Sequence, residues 1–254
     1  MISDFDNAFH PQDYLEYFFD RPVSKNAGML YFFAEVYKHC RPTDRMLEFG
    51  GGPTVYQLIS PAAYVGEIHY SDYLQSNLDY VLRWMQNDLQ AWNWDEYIRK
   101  TLQIETPQCV PTSQDIQQRK ELIQTKVTRF LHCNALDPNP LLDPRFQNYY
   151  DVIGMSYCIE GIVSEKLKWK EAFANVTSLL KPGGTLVMNA IGESFNGWLC
   201  KNQRFVGVYL TQVDIYKCMK QLGYTSIYIK TTPSNDPSRG YRKYHRVTGI
   251  LRQN

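Results

Sequence analysis

The sequence predicts an α/β chain: a seven-stranded, mostly parallel sheet with helices on both faces and an antiparallel strand at the end. Three observations predict it. Short apolar runs alternate with stretches of helical periodicity through the middle of the chain. A glycine-rich turn follows the first such run, in "RMLEFGGGPTVYQL" (residues 45–58). Two apolar runs close the chain with no helix between them, which marks an antiparallel pair.

The elements follow in order. Pro11 to Asp20 and Lys25 to His39 read as helices joined by "RPVS"; in the second, Met29, Phe32, Phe33 and Val36 recur at helical spacing. "MLEFG" is strand one, and "TVYQLIS" is a short helix that Pro61 stops. "YVGEIHYSD" is strand two, ending in Asp72. A helix runs from Leu74 to Leu89 on the spacing of Leu74, Leu78, Val81, Leu82, Met85 and Leu89. The stretch 91–126 is less regular and reads as an insertion with one helix. "VTRFLHCNAL" and "YYDVIGMSYCI" are strands three and four. Glu165 to Leu180 is helical, with "KPGG" as a helix stop and tight turn. "TLVMNAI" is strand five. Thr211 to Leu222 is a helix capped by Gly223, and "YTSIYIKT" and "YHRVTGILR" are the closing strands, linked by the polar loop 232–243. No internal repeat or low-complexity linker divides the chain. A single domain over 1–254 is expected: an N-terminal helical lid or cap over 1–40, and a core over 41–254 with an insertion near 91–125.

Composition excludes several classes of function. The net charge of +1 gives no global field toward nucleic acid or an anionic membrane. No apolar run reaches the ~20 residues that span a bilayer. The N-terminus has no signal-peptide layout, and the six cysteines contain no C-x-x-C. That usage suits reduced cytosolic thiols, so a cytoplasmic monomer with no metal site is expected. Nineteen tyrosines leave two readings open, an aromatic core and an aromatic-lined pocket.

The glycine turn lets a ligand approach the backbone at the carboxyl ends of the strands. A dinucleotide favours G-x-G-x-x-G, but Val55 stands where the last glycine belongs, and no G-K-[ST] follows for a P-loop. Glu48 at the end of strand one disfavours a pyrophosphate and suits a cation or amine. Asp72 is placed to take ribose hydroxyls, or to cap the helix from Leu74. Two acids in these positions suit a nucleoside with a positively charged amino-acid arm, which describes S-adenosylmethionine; other nucleosides remain open.

Five segments then carry a resemblance: "FHPQDYLEYFF", "LEFGGGPTVYQL", "SDYLQSNLDYVLRWMQNDLQAWNW", "YDVIGMSYCIEGI" and "LLKPGGTLVMNA". In order and spacing, over residues 9–250, the chain resembles the small-molecule amine N-methyltransferases that include the nicotinamide, phenylethanolamine and indolethylamine enzymes. The resemblance implies a Rossmann-like fold and S-adenosyl-L-methionine as cofactor, leaving S-adenosyl-L-homocysteine. It implies that Gly50, Gly51, Gly52 and Tyr56 border the methionine arm, with Glu48 beneath and Tyr14 closing over it. Asp72, Tyr73 and Asn77 hold the ribose side, Asn134 and Ala135 flank the adenine, and Ser156 lies on the inner side. Asn134 departs from the aspartate common in relatives.

For the acceptor, the resemblance implies Glu160 as the acid at the substrate amine, as in the phenylethanolamine enzymes. Asn189 stands where nicotinamide-type relatives use an aspartate. The stretch 191–210 is expected to form a pocket wall, with Phe195, Trp198 and Tyr209 as ring-stacking residues. Arg239, Arg242, Lys243 and Arg246 depart from relatives that bear an acid in this region, and suit either a solvated face or a substrate anion. The expected activity is methyl transfer to a small amine or aromatic nitrogen compound. The alternatives are a thiol, thioether or other small nucleophile as acceptor, or a catalytically silent cofactor-binding relative.

Overall fold

The structure is a computed structural model and describes residues 8–252; residues 1–7 of the expected lid, and 253–254, lie outside them. The N-terminal segment forms helices α1 (Pro11–Phe19) and α2 (Ala27–Tyr37). Pro11 sits in the first turn of α1, where its missing N–H is no loss. There follow β1 (Arg45–Phe49), α3 (Tyr56–Ile59), β2 (Glu67–Asp72), α4 (Gln75–Met85), α5 (Asp95–Glu105) and α6 (Ser113–Lys126). Next come β3 (Val127–His132), β4 (Tyr150–Ser156), α7 (Lys166–Thr177), β5 (Leu180–Gly192), β6 (Trp198–Cys200) and β7 (Gln203–Phe205). The chain closes with α8 (Gln212–Gln221), β8 (Tyr224–Pro233) and β9 (Lys243–Leu251).

The main sheet has seven strands in the order β3-β2-β1-β4-β5-β9-β8. β1 to β5 pair in parallel, while β9 runs antiparallel to both β5 and β8. The order reverses between β1 and β4, so the crevice at their carboxyl ends is the topological switch point. Side chains alternate across β1. Leu47 and Phe49 pack with Ile153, Trp169 and Phe173 on one face, and Met46 packs with Phe33, Tyr37, Tyr70 and Trp94 on the other. Both faces are therefore covered, which is why β1 and β4 read as nearly continuous apolar runs.

Three local readings are corrected. The stretch 91–126 holds two helices, α5 and α6. Thr112 and Asp115 form a reciprocal capping box that starts α6, and only Ile116 and Ile123 of that helix are buried, so apolar periodicity was weak. "KPGG" lies inside β5, whose pairing with β4 shifts register between Tyr150 and Val152; Gly183 takes φ +83° there. The helix from Leu74 stops at Met85, because Asn87 adopts φ +58° and Leu89 is 100% exposed.

Candidate active site

Each glycine of the turn after β1 meets a distinct steric demand. Gly50 has φ +64°, and a Cβ there falls 2.1 Å from Cys158 Sγ. A Cβ on Gly51 falls 2.3 Å from the Tyr70 ring and hydroxyl. Gly52 has φ +67° with open space where its Cβ would stand, so backbone conformation alone selects glycine. The following residues lock the turn. Thr54 Oγ1 and Gln57 Nε2 both donate to the Gly51 carbonyl (2.8 and 2.7 Å), and the Tyr70 hydroxyl donates to the Gly52 carbonyl at 2.7 Å. Asp72 Oδ2 accepts from the Gly52 N–H at 2.7 Å.

These residues border a cavity over the carboxyl ends of β1, β2, β3 and β4. Tyr14, Gly50, Gly51, Gly52, Tyr56, Asp72, Tyr73, Asn77, Asn134, Ala135 and Ser156 all line it. Asp72 Oδ1 accepts from the Leu74 N–H and from Asn77 Nδ2, both at 2.9 Å. Burial raises the Asp72 carboxyl above its ordinary range, and these bonds oppose the rise. Asn77 Oδ1 is buried without a partner, an open acceptor beside Asp72. Asn134 Oδ1 already accepts from the Leu136 N–H at 3.0 Å. Its second lone pair remains available.

A second cavity shares Tyr14, Tyr157, Gly161 and Trp198 with the first. Trp198 Nε1 donates to the Gly161 carbonyl at 3.1 Å, and its ring stands edge-on to Tyr14 at 6.3 Å. Tyr157 holds φ +55°, a conformation that costs a bulky side chain ~1–2 kcal/mol and that places its ring in both walls. The remaining lining mixes aromatic rings with cations: Phe18, Tyr241 and Tyr244 beside Arg21, Lys25, Arg239 and Arg246. Lys201, next to β6, pairs with Asp13 Oδ1 and Glu16 Oε2 of α1 at 2.7 and 2.6 Å.

Five expected site residues lie elsewhere. Glu48 is on the Met46 face of β1, 1% exposed, and lines neither cavity. Both its oxygens lack partners, and burial pushes its carboxyl well above the ordinary range. Glu160, also 1% exposed, sits behind the walls formed by Gly161 and Ile191. Its Oε1 accepts from the Ile191 N–H at 2.9 Å, and burial raises its pKa to about 7. Asn189 is buried behind Ser156, to which its Nδ2 donates at 3.1 Å. Phe195 is 55% exposed in a shallow outer groove, with Arg242 stacked on its ring at 4.3 Å. Tyr209 packs edge-on to Phe195 at 5.1 Å on that outer side. The sequence reading missed Tyr157, Thr54, Gln57 and Tyr70, and the cations Arg21 and Lys25. The "P-T-x-Y-Q" run was the available signal for Thr54 and Gln57; none marked the others.

Comparison with known proteins gives the family and the fold. The NNMT/PNMT/TEMT family profile matches residues 1–248. Nicotinamide N-methyltransferase of Sus scrofa is 27% identical over 229 residues, covering 85% of this chain and 82% of that enzyme. Indolethylamine N-methyltransferase of Mus musculus is 24% identical and covers 87% and 84%. Phenylethanolamine N-methyltransferase of Macaca mulatta is 26% identical and covers 70% and 62%. Among solved structures, the DhpI-SAM-HEP complex has a TM-score of 0.58 at 12% identity, covering 98% of this chain and 94% of that one. An O-methyltransferase family protein from Burkholderia thailandensis scores 0.54 at 15% identity, covering 92% and 58%. These two likenesses speak for the fold. The chain belongs to the NNMT/PNMT/TEMT family and is an S-adenosylmethionine-dependent methyltransferase.

Proposed function

We propose that the protein methylates the nitrogen of a small acceptor held in the second cavity, with the donor in the cavity at the switch point. The observation that carries this reading is the shared wall of Tyr14, Tyr157, Gly161 and Trp198, which joins the switch-point crevice to an aromatic chamber. When bound, S-adenosylmethionine supplies a methyl group on a sulfonium, and its transfer leaves a neutral thioether. Residues of the crevice fit that molecule. The glycine turn has no side chain to block an amino-acid arm, and Asp72 with the open Asn77 Oδ1 offers acceptors to ribose hydroxyls. Tyr56, Ser156 and Tyr73 complete the walls, with Asn134 and Ala135 toward the base.

The chain's own contribution to the reaction is alignment and exclusion of water. Tyr14, Tyr157 and Trp198 close the junction with apolar ring surface. An acceptor nitrogen must bring a free lone pair; an amine then sheds one proton, whereas a pyridine has none to lose. We propose α1 as the lid. Its ion pairs with Lys201 are exposed and screened by solvent, so they hold the lid weakly beside the burial of Leu15 and Phe19 on its inner face. Glu160 acts as a positioning residue through the Ile191 backbone rather than by touching the acceptor. Trp198 is the aromatic of the 191–210 stretch that meets the acceptor.

A methyl-transfer screen tests the proposal, using purified protein with matched aryl amines, alkyl amines, indole amines, pyridines and thiols. Methylated nitrogen products are expected. Turnover of thiols with none of any nitrogen acceptor would contradict it.

A further inference from the structure

We propose that the acceptor carries an anionic oxygen group, a carboxylate or a phosphate, bound at the far end of the second cavity by Arg21, Arg239 and Arg246. This rests on the methyl-transfer reading above and narrows its substrate class. Among the described residues, the cavity is lined by four cations, the three arginines and Lys25, and by no carboxylate. All four lie on the part of the lining not shared with the donor crevice. The nitrogen end of an acceptor thus faces the aromatic junction and its anion faces the cations.

Neutralising partners are scarce. Arg239 pairs with Asp236 at 2.9 Å; among the described residues, Arg21, Lys25 and Arg246 have no ion pair. Arg239 is only 5% exposed, yet its Nη1 is buried with no hydrogen-bond partner. Arg246 Nε is likewise buried and unpartnered, while its Nη1 donates to Thr232 Oγ1 at 3.3 Å. A buried guanidinium donor left unpaired is costly, and a bidentate anion is the group that satisfies it.

The guanidiniums are also held in advance. Arg239 lies over the rings of Tyr17 and Phe18 at 4.7 and 4.6 Å and donates to the Tyr17 carbonyl at 3.3 Å. Arg21 Nε donates to the Phe18 carbonyl at 2.8 Å, and its Nη2 donates to Asn26 Oδ1 at 2.9 Å. Both arginines line the cavity; burial lowers the Arg21 pKa, and the neighbouring Arg239 charge lowers it further. Asp236 is already engaged by Arg239 Nε at 2.9 Å, and Glu160 is screened behind Gly161 and Ile191. Such a chamber disfavours an ammonium ion and favours the neutral amine, the form that can attack. Among the described lining residues a purely cationic amine finds no counter-charge, whereas a zwitterionic or anionic acceptor does.

The test is calorimetric, on full-length protein saturated with S-adenosylhomocysteine and, in parallel, without it. Phenyl phosphate, benzoate and benzylamine are titrated into wild type, Arg246→Met and Arg21→Met. At least one anion is expected to bind about tenfold or more tightly than benzylamine, and to weaken roughly 10- to 100-fold in each variant. Whichever anion binds tighter tells phosphate from carboxylate. Absent anion binding, equal or tighter benzylamine binding, or anion affinity unchanged in both variants overturns the proposal. Absence of heat for S-adenosylhomocysteine itself would count against the donor site and leave the anion comparison readable. Variants that unfold, seen by circular dichroism, are replaced by Arg246→Lys, which keeps charge and is expected to retain part of the binding.

Discussion

A single methyl group added at Gly50 puts the turn after β1 to a quantitative test. In Gly50→Ala the backbone keeps φ +64°, which costs an alanine about 1 kcal/mol. The new Cβ lies 2.1 Å from Cys158 Sγ and 3.0 Å from its Cβ, so Cys158 or the turn has to move. Overpacking of that kind costs about 1–3 kcal/mol. The sum is roughly 2–4 kcal/mol, or about 5–15 °C in Tm for a chain of this size. Gly52→Ala is the control, because it shares the positive φ but meets nothing within 4 Å; about 1 kcal/mol is expected. Thermal and urea unfolding measure both. Removing the sulfur with Cys158→Ala in the Gly50→Ala background is expected to return about 1–2 kcal/mol, read as a double-mutant coupling. Equal losses at the two glycines, with no coupling to Cys158, would refute the steric argument.

Three further outcomes follow from named contacts. Burial holds the Glu160 carboxyl at about 7 in the folded chain. An exposed glutamate titrates near ~4.3, so this group penalises the native state increasingly as pH climbs from ~4.3 to ~7, by up to roughly 4 kcal/mol above it. Glu160→Gln is expected to flatten the fall in urea midpoint across that window, and an unchanged slope contradicts the assignment. Trp198→Ala removes a wall common to both cavities and is expected to raise acceptor KM at least about tenfold, whereas outward-facing Phe195→Ala shifts it less than about twofold. Steady-state kinetics on the best acceptor decide, and equal effects would undo the placement. Arg119 pairs with the half-buried Glu105 at 2.7 Å and donates to the Ile59 carbonyl at 2.8 Å, tying α6 to α5 and α3. Arg119→Met leaves Glu105 with only the Ser60 hydroxyl at 2.9 Å and is expected to cost about 1–3 kcal/mol in urea unfolding; a loss below about 0.5 would show the bridge to be dispensable.

What the sequence made legible has a physical pattern. β1 and β4 are buried on both faces, so their apolar runs announced them, and the turn between β1 and α3 announced itself through glycines that sterics require. Asp72 was readable because it ends a strand and precedes a helix. The β6–β7 hairpin was not readable. Its strands have three residues each, and its backbone depends on Gly197 and Lys201 in positive φ. Phe195 and Tyr209 looked like pocket aromatics by type; their position outside depends on the path of the chain after β5, which no local signal encodes. Arg21 and Lys25 come from the N-terminal segment, and Arg239 and Arg246 from the region around β9. Only tertiary folding brings them to one chamber, and the sequence pattern showed just the latter pair as a cluster.

Everything proposed for the reaction requires the methyl donor to occupy the crevice between β1 and β4 with its sugar on Asp72. Calorimetric titration of S-adenosylhomocysteine into wild type and Asp72→Ala tests it most directly. Wild type is expected to bind with measurable heat, and loss of the one charge-assisted hydrogen bond that Asp72 Oδ2 has left to offer is expected to weaken the variant by about 10- to 100-fold. Absence of binding to wild type, or the same affinity in Asp72→Ala with its fold intact, would contradict the claim.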